Sequence, residues 1–176
     1  MEGRFCIFIY GLSGSGKTTL ASALAQALRE RTGVNPVWLD GAELRSLVWS
    51  DVDFSRRGRL EHARRVAGLA QVLQKQGYPV IVCLVAPFEE MRQFFRTLLK
   101  DLVEVWLDCP LHVCRLRDPT GIYKLAEMGE VVFLPGQDVD FETPSRYHIR
   151  LRTDVVSVQQ EVEEVLSHLE SANLIP

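Results

Sequence analysis

The sequence has few cysteines, no long apolar run and no strong excess of one charge. Its 176 residues include four cysteines, and none lies in a Cys-x-x-Cys pair, which excludes zinc-finger and disulfide-scaffold classes. No uninterrupted apolar stretch approaches the ~18 residues that cross a bilayer, and no secretory leader is visible. The formal net charge of −3 argues against general binding to nucleic acid. We therefore expect a cytoplasmic protein that binds neither membranes nor nucleic acid.

The remaining composition is that of an ordinary folded domain. Hydrophobic residues make up 47% of the chain and charged residues 24%, a mixture that can bury a sizeable core. A chain of this length normally forms one domain. The sequence has no internal repeat and no linker rich in Pro, Gly or Ser. We therefore expect a single domain over residues 1–176.

Segments with strand and helix patterns alternate along the chain. Continuous apolar runs rich in β-branched and aromatic residues predict five strands, at residues 5–10, 36–39, 79–85, 103–107 and 148–152. Apolar residues at helical spacing predict helices that end near Gly33, cover residues 56–76 and 88–98, and begin at a capping box of Ser157 and Gln160. The alternation predicts an α/β fold with a mainly parallel five-stranded sheet and helices on both faces.

One glycine-rich motif lies between the first predicted strand and the first predicted helix. Gly11-Leu-Ser-Gly-Ser-Gly-Lys17-Thr18 fits the pattern G-x-x-x-x-G-K-[ST] of phosphate-binding loops, in the structural context that the motif requires. Its backbone N–H groups and the following helix N-terminus attract phosphates, Lys17 supplies charge, and the Thr18 hydroxyl binds Mg²⁺. The motif predicts a three-layer P-loop NTPase fold and contacts to ATP from Gly11, Ser13, Gly14, Ser15, Gly16, Lys17, Thr18 and Thr19.

A phosphate-binding loop alone leaves kinases, GTPases and motor ATPases open. The Asn-Lys-x-Asp motif with which GTPases read their base is absent, and the chain is short for most motor ATPases. A small-molecule kinase needs a mobile lid with arginines over the phosphates and a base near the acceptor hydroxyl. Arg115 and Arg117 are candidates in a lid over approximately residues 115–140, with Arg117 as an ATP ligand. Asp40, after the second strand, is the candidate base.

Several further motifs, in order along residues 5–153, resemble the adenylylsulfate kinase (APS kinase) family. That family phosphorylates the 3′-hydroxyl of adenosine 5′-phosphosulfate (APS) with ATP to give PAPS. The Asp-Pro-x-Gly-Ile-Tyr-Lys and Phe-Glu-x-Pro blocks are more specific than the phosphate-binding loop. The similar stretches are Gly11–Thr19, Leu39-Asp-Gly-x-x-Leu-Arg45, Phe54-Ser55, Arg59, Arg64-Arg65, Ala86-Pro87-Phe88, Arg92, Val105-Trp-Leu-Asp-Cys-Pro-Leu111, Arg117-Asp-Pro-x-Gly-Ile-Tyr-Lys124 and Phe141-Glu142-x-Pro144.

The resemblance implies an ATP- and Mg²⁺-dependent kinase that acts as a homodimer on a small nucleotide acceptor. Together with the motif and with the position of Asp40, it leaves Lys17 and Asp40 as the expected catalytic residues and Thr18 as the metal ligand. The resemblance assigns Arg45, Phe54, Arg59 and Lys124 to the acceptor, and we add Asp40 from its position and Leu134 as the replacement for a family aromatic residue. Arginines suit a substrate that carries phosphate and sulfate, because a guanidinium gives charged bidentate contacts. Residues 56–65 hold the densest basic cluster of the chain.

Four departures from the family pattern surround the acceptor half. The family's Asp-Gly-Asp motif becomes Asp40-Gly41-Ala42, and Leu60 or His62 replaces an asparagine. Leu134, or a shifted Phe133, replaces a second aromatic residue that sandwiches adenine, and two lid lysines become Thr120 and Leu125. The departures leave two alternatives beside APS phosphorylation. One is a kinase for another nucleotide, such as cytidine diphosphoramidate, and the other is a non-catalytic nucleotide-binding paralogue.

Overall fold

The computed structural model describes residues 4–176. Strands and helices alternate along most of this length, with pairs of consecutive helices after the second and fourth strands. The elements are β1 Cys6–Tyr10, α1 Lys17–Thr32, β2 Val37–Asp40, α2 Gly41–Leu47, α3 Arg56–Lys75, β3 Val80–Leu84, α4 Glu89–Leu98, β4 Leu102–Leu107, α5 Leu111–Arg117, α6 Ile122–Glu127, β5 Ile149–Leu151 and α7 Val158–Ser171.

The five strands form one sheet in the order β2-β3-β1-β4-β5. All four pairings are parallel, so every strand ends at the same edge of the sheet. Because β1 is central, the loop that follows it has β3 and β2 on one side and β4 and β5 on the other. The predicted five-stranded parallel sheet is confirmed, and each strand boundary lies within two residues of the prediction.

Helices cover both faces of the sheet, and for that reason β1 is apolar at every position. Phe5, Ile7 and Ile9 face a core formed with α1 and α7. Phe8 and Tyr10, on the opposite face, pack into a core formed with α3 and α4. Both faces of the central strand are therefore closed to solvent, and the carboxyl edge of the sheet is left for a ligand.

The sequence patterns did not reveal three short helices, α2, α5 and α6. They have seven, seven and six residues, about two turns or fewer, which is too short to show an apolar stripe. In α2 the side chain of Asp40 caps the N-terminus, since Oδ1 accepts hydrogen bonds from the backbone N–H groups of Ala42 at 2.9 Å and Glu43 at 3.3 Å. The cap fixes Asp40 at the edge of the sheet.

Residues 4–176 contain neither a disulfide bond nor a helix that could cross a membrane. All four cysteines are buried and free, and burial strongly raises the pKa of the Cys6 thiol. Within residues 4–176, no helix combines the length and the apolar character that crossing a membrane requires.

The fully buried Arg92 joins the Phe-Glu-x-Pro block to the rest of the fold. Its guanidinium donates hydrogen bonds to the carbonyl oxygens of Ala86 at 3.1 Å and Glu142 at 2.6 Å, and it forms an ion pair with Glu89 at 3.0 Å. The ring of Phe141 lies 5.0 Å from the guanidinium carbon. These contacts hold residues 141–144 against the turn between β3 and α4, which gives this block a structural role.

We expect Arg92→Leu to lower the free energy of unfolding by about 3 kcal/mol or more, because it leaves the carbonyl groups of Ala86, Pro87 and Glu142 without their buried donor. Urea denaturation followed by circular dichroism measures the change. Arg57→Leu is the matched control, since Arg57 is exposed on α3, and its midpoint is expected near that of wild type. Equal midpoints for the two variants would refute the structural role of Arg92.

Candidate active site

A cavity of about 1140 Å³ opens at the carboxyl edge of the sheet. Its floor is the loop between β1 and α1, and the ends of β2 and β3 form one wall. Residues 117–120, 131–135 and 153–161 close the other sides. The volume exceeds that of most single-ligand pockets, so the cavity has room for two ligands side by side.

The glycine-rich loop packs too closely against its neighbours for larger residues. A Cβ atom on Gly11 would lie 2.7 Å from the carbonyl oxygen of Leu107. Gly14 has a φ of 76°, and a Cβ atom there would lie 2.7 Å from the carbonyl oxygen of Cys114. Gly11 and Gly14 are therefore required for the tight curve of the loop, as the motif predicts.

The buried Ser15 hydroxyl of the same loop has no hydrogen-bond partner within the described residues.

Lys17 lies over this loop at the start of α1. Its Nζ donates hydrogen bonds to the carbonyl oxygens of Gly11 at 3.1 Å and Leu12 at 2.7 Å. The surrounding protein displaces water from the ammonium group and lowers the pKa of Lys17 to about 8. An anionic phosphate beside this ammonium would favour its charged form.

Thr18 and Asp40 meet where α1 and β2 come together. The Thr18 hydroxyl donates a hydrogen bond to Oδ2 of Asp40 at 3.3 Å. A hydroxyl and a carboxylate oxygen at this distance are hard oxygen ligands of the kind that Mg²⁺ prefers, with water and substrate phosphates completing its shell. The described residues contain no cluster of three or more His, Cys, Asp or Glu side chains that would hold a metal by protein ligands alone. The donor set therefore fits Mg²⁺ bound together with a nucleotide.

Arg45, Phe54 and Arg59 form a cationic and aromatic pocket on the β2 side of the cavity. The guanidinium carbon of Arg45 lies 4.5 Å from the centre of the Phe54 ring, and that of Arg59 lies 5.4 Å from it. Arg59 is 6% exposed and donates to the carbonyl oxygen of Phe133 at 2.5 Å. Burial, together with the charge of Arg45, lowers the pKa of Arg59 to about 10. The structure brings these three predicted residues together.

Three of the other arginines of residues 56–65 are engaged in ion pairs outside this pocket, and Arg57 is exposed on α3. Arg64 and Arg65 pair with Glu61, and Arg65 also pairs with Asp51. Arg56 lies 3.5 Å from carboxylate oxygens of Glu90 and Glu142. Arg45 and Arg59 are therefore the arginines that the β2 side of the cavity offers to an anionic ligand.

Of the two candidates for the family's asparagine position, His62 lines the cavity and Leu60 packs against the core. Its Nε2 lies 2.9 Å from the carbonyl oxygen of Gly41. A carbonyl only accepts, so Nε2 carries the hydrogen and Nδ1 is left as an acceptor, without a partner in the described chain. Burial, reinforced by Arg45, lowers the pKa of His62 to about 4, which keeps the ring neutral. Ala42 lines the same wall with a methyl group.

Leu134 and Phe133 both line the cavity, as Phe54 does. Leu134 is buried and Phe133 is about half exposed, with a φ of 61°. Lys124 is exposed on α6 and is not among the cavity residues, so the structure does not bring it to the site. Its side chain lies on the outside of a short helix whose inner side carries the buried Tyr123.

The side of the cavity beyond β4 and β5 is formed by Arg117 and the start of α7. Arg117 donates to the carbonyl oxygen of Thr153 at 2.5 Å and lines the cavity. Glu161 lines it as well and is 4% exposed. The sequence reading missed Glu161, although it interrupts the apolar stripe of α7 between Val158 and Val165.

Comparison with known sequences places this architecture in one family. The sequence model described as adenylylsulphate kinase matches residues 3–152. The adenylyl-sulfate kinase of Marinobacter nauticus is 38% identical over 171 residues, which cover 96% of this chain and 85% of that protein. That of Clostridium kluyveri is 40% identical over 169 residues, which cover 96% and 84%.

Comparison with solved structures agrees. The APS kinase of Mycobacterium tuberculosis in complex with AMPPNP and APS superposes with a TM-score of 0.90 at 33% identity, over 96% of this chain and 98% of that one. A sugar kinase from Janibacter superposes with a TM-score of 0.65 at 20% identity and shares the fold. Sequence, topology and site geometry lead to one conclusion: this chain belongs to the adenylylsulphate kinase family.

Proposed function

We propose that this chain is an ATP-dependent kinase that transfers the γ-phosphate of ATP to the 3′-hydroxyl of APS, giving PAPS. One observation carries the proposal: a single cavity joins an intact phosphate-binding loop to a pocket of two arginines and an aromatic ring. The relatives named adenylyl-sulfate kinase support this activity. So does the similar Mycobacterium tuberculosis structure, which holds an ATP analogue and APS.

The donor half would hold ATP by its phosphates. Gly11, Ser13, Gly14, Ser15 and Gly16 form the loop, and its N–H groups and the N-terminus of α1 attract phosphate oxygens. Lys17, Thr18 and Thr19 follow at the start of α1, and Arg117 approaches from the end of α5. Thr18 would hold Mg²⁺ together with water and phosphate oxygens, and the ion supplies charge stabilisation of the transferring phosphoryl group when it is bound.

The acceptor half would hold APS by its charge and its base. Arg45 and Arg59 offer guanidinium groups to the phosphosulfate, while Phe54 and Leu134 offer apolar faces to adenine. Nδ1 of His62 adds a buried hydrogen-bond acceptor, which suits a hydroxyl or amino group of the substrate. Lys124 would have to turn from the exposed face of α6, whose Ile122 and Leu125 line the cavity, to reach the acceptor.

Asp40 has the position required of the base. Its Oδ1 is used by the N-cap of α2, and its Oδ2 faces Thr18 at the junction of the two halves. Oδ2 would accept the proton of the acceptor hydroxyl as the new phosphoester bond forms, and the bond between the γ-phosphorus and its bridging oxygen breaks. Ala42 contributes no second carboxylate, so Asp40 would act alone.

Two further properties belong to this proposal. The lid, over approximately residues 115–140, would close on bound ATP and exclude water. The protein would act as a homodimer in the cytoplasm, which rests on the family resemblance.

Lys17→Ala is expected to lower kcat/KM for ATP by about 10²–10³-fold or more, because it removes the charge beside the phosphates. Coupled ADP-release kinetics measure turnover, and thermal unfolding verifies the fold. Lys75→Ala, at the exposed end of α3, is the control and should match wild type. Normal turnover in Lys17→Ala would contradict the donor assignment.

Asp40→Asn is expected to lower turnover on APS by about 10²-fold or more, the usual contribution of a general base. Ala42→Asp should raise turnover, since it restores a carboxylate beside Asp40. Steady-state PAPS formation by wild type and both variants tests these outcomes. Undiminished turnover in Asp40→Asn would refute its role as base.

A loss of activity in Ala42→Asp has a different meaning. An added carboxylate that finds no partner in a pocket shaped for other groups costs desolvation energy. Lower turnover of Ala42→Asp, combined with wild-type activity on another nucleotide and none on APS, would point to that nucleotide as the acceptor.

Hydrogen exchange tests the lid. Backbone amides of residues 115–140 are expected to exchange fast in the free protein and to gain protection with Mg²⁺ and ATP. Strand β3 serves as the internal control, because its amides are buried in the sheet and should exchange slowly in both states. Equal protection of residues 115–140 with and without nucleotide would rule out a closing lid.

A further inference from the structure

Glu161 on α7 is a buried acidic group in the cavity that the proposed mechanism does not use. It is 4% exposed and lines the cavity. Neither an ion pair nor a hydrogen bond reaches its carboxyl group from the rest of residues 4–176; burial and the more distant charge of Arg117 are the influences on it. Burying a carboxyl group without a hydrogen-bond partner costs free energy. Since Glu161 borders a ligand cavity, a bound ligand is the partner that would offset this cost.

The helix register makes this placement unusual. Val158, Val162 and Val165 form the inward stripe of α7 and pack against α1 and β5. Glu161 lies three residues after Val158 and four before Val165, at a position on the same face. An apolar residue there would continue the core. The carboxyl group therefore reduces packing at this point and offers polar atoms to the cavity.

The topology of the site decides which ligand reaches Glu161. The phosphate-binding loop follows the central strand β1, and the cavity extends to both sides of it. Asp40, Arg45 and Phe54 lie on the β2 and β3 side, which the proposed function assigns to the acceptor. Arg117 and Glu161 lie on the side of β4 and β5. If the triphosphate lies on the loop and the acceptor fills one side, the base of the donor nucleotide lies on the other.

We propose that Glu161 recognises the base of the donor nucleotide, with its carboxyl group hydrogen-bonded to the amino edge of adenine. This inference rests on the proposed kinase function for the use of ATP, but it does not depend on which acceptor is used. It assigns a specificity-determining residue to α7, an element that no sequence motif connects with nucleotide binding.

The protonation state of Glu161 sets which base fits. Burial raises the pKa of Glu161 to about 7, and the guanidinium of Arg117 acts in the opposite direction. Lys17, which lines the same cavity, is bonded to loop carbonyls, and Arg152 pairs with Asp154 after β5. A neutral carboxyl group has one donor and one acceptor, as the N1 and amino groups of adenine require. A carboxylate has two acceptors, which suit the N1–H and amino groups of guanine.

Binding of Mg²⁺-ATP and Mg²⁺-GTP to the full chain at pH 6 and pH 8 tests the proposal, with calorimetry as the measurement. The neutral fraction of an acid with a pKa near 7 falls about tenfold between these values. We expect wild-type affinity for ATP to fall by up to about tenfold from pH 6 to pH 8, and the preference for ATP over GTP to decrease.

Two variants separate recognition of the base from structural effects. Glu161→Gln keeps a neutral donor and acceptor at both pH values, so it should match wild type at pH 6 and lose the part of the pH dependence that Glu161 causes. Glu161→Leu should weaken ATP binding about tenfold, as expected for the loss of two hydrogen bonds, and should bind ATP and GTP more equally. Any pH dependence caused by Lys17 persists in Glu161→Gln, and the difference from wild type isolates Glu161. Glu164→Gln, exposed on the same helix, should match wild type.

The possible failures are distinguishable. The proposal would be overturned, with ATP binding itself unaffected, if both Glu161 variants kept the wild-type ratio of ATP to GTP affinity and the wild-type pH dependence. A wild type that binds no Mg²⁺-ATP would overturn this proposal and the kinase function together. If Glu161→Leu fails to fold, wild-type pH dependence in Glu161→Gln would overturn the proposal on its own.

Discussion

The hydrogen bond between Thr18 and Asp40 links the two halves of the site. Thr18 lies in the first turn of the helix that follows the phosphate-binding loop, and Asp40 ends β2 and caps α2. Because all strands are parallel, their carboxyl ends share one edge, and residues 22 positions apart in sequence meet there. A phosphoryl group bound at the loop and an acceptor hydroxyl bound beside α2 would therefore meet at the Thr18 hydroxyl and the Asp40 carboxylate.

The two halves differ in how closely they keep the family pattern. The donor half has every residue of the phosphate-binding motif, and the close approaches of Gly11 and Gly14 leave no room for change. The acceptor half keeps Arg45 and Arg59 but has Ala42 and His62 in place of a carboxylate and an amide. A methyl group and a neutral imidazole change which donors and acceptors the substrate meets, while the arginines still provide positive charge for an anion. These differences would therefore alter which acceptor is bound rather than the transfer of phosphate from ATP.

Much of this arrangement was accessible from sequence, and what was missed has physical reasons. Apolar runs and helical spacing identified the sheet and the long helices, because two-sided burial makes β1 and β3 apolar throughout. The short α2 was missed because its stability comes from the Asp40 cap and from packing, neither of which leaves a periodic pattern. Sequence could not decide whether His62 or Leu60 lines the cavity, because that depends on which face of α3 turns toward it. In the same way, the exposure of Lys124 depends on which face of α6 is buried. The burial of Glu161 was not predicted, because a single charged residue within an apolar stripe is usually exposed at the surface.

The most direct test of the account is phosphoryl transfer from γ-labelled ATP by the wild-type protein, with APS and other nucleotides offered separately as acceptors and the products separated. The account predicts labelled PAPS with the label on the 3′-oxygen, formed only when ATP and Mg²⁺ are both present. No labelled PAPS, or label carried by a different nucleotide while APS remains unmodified, would contradict it.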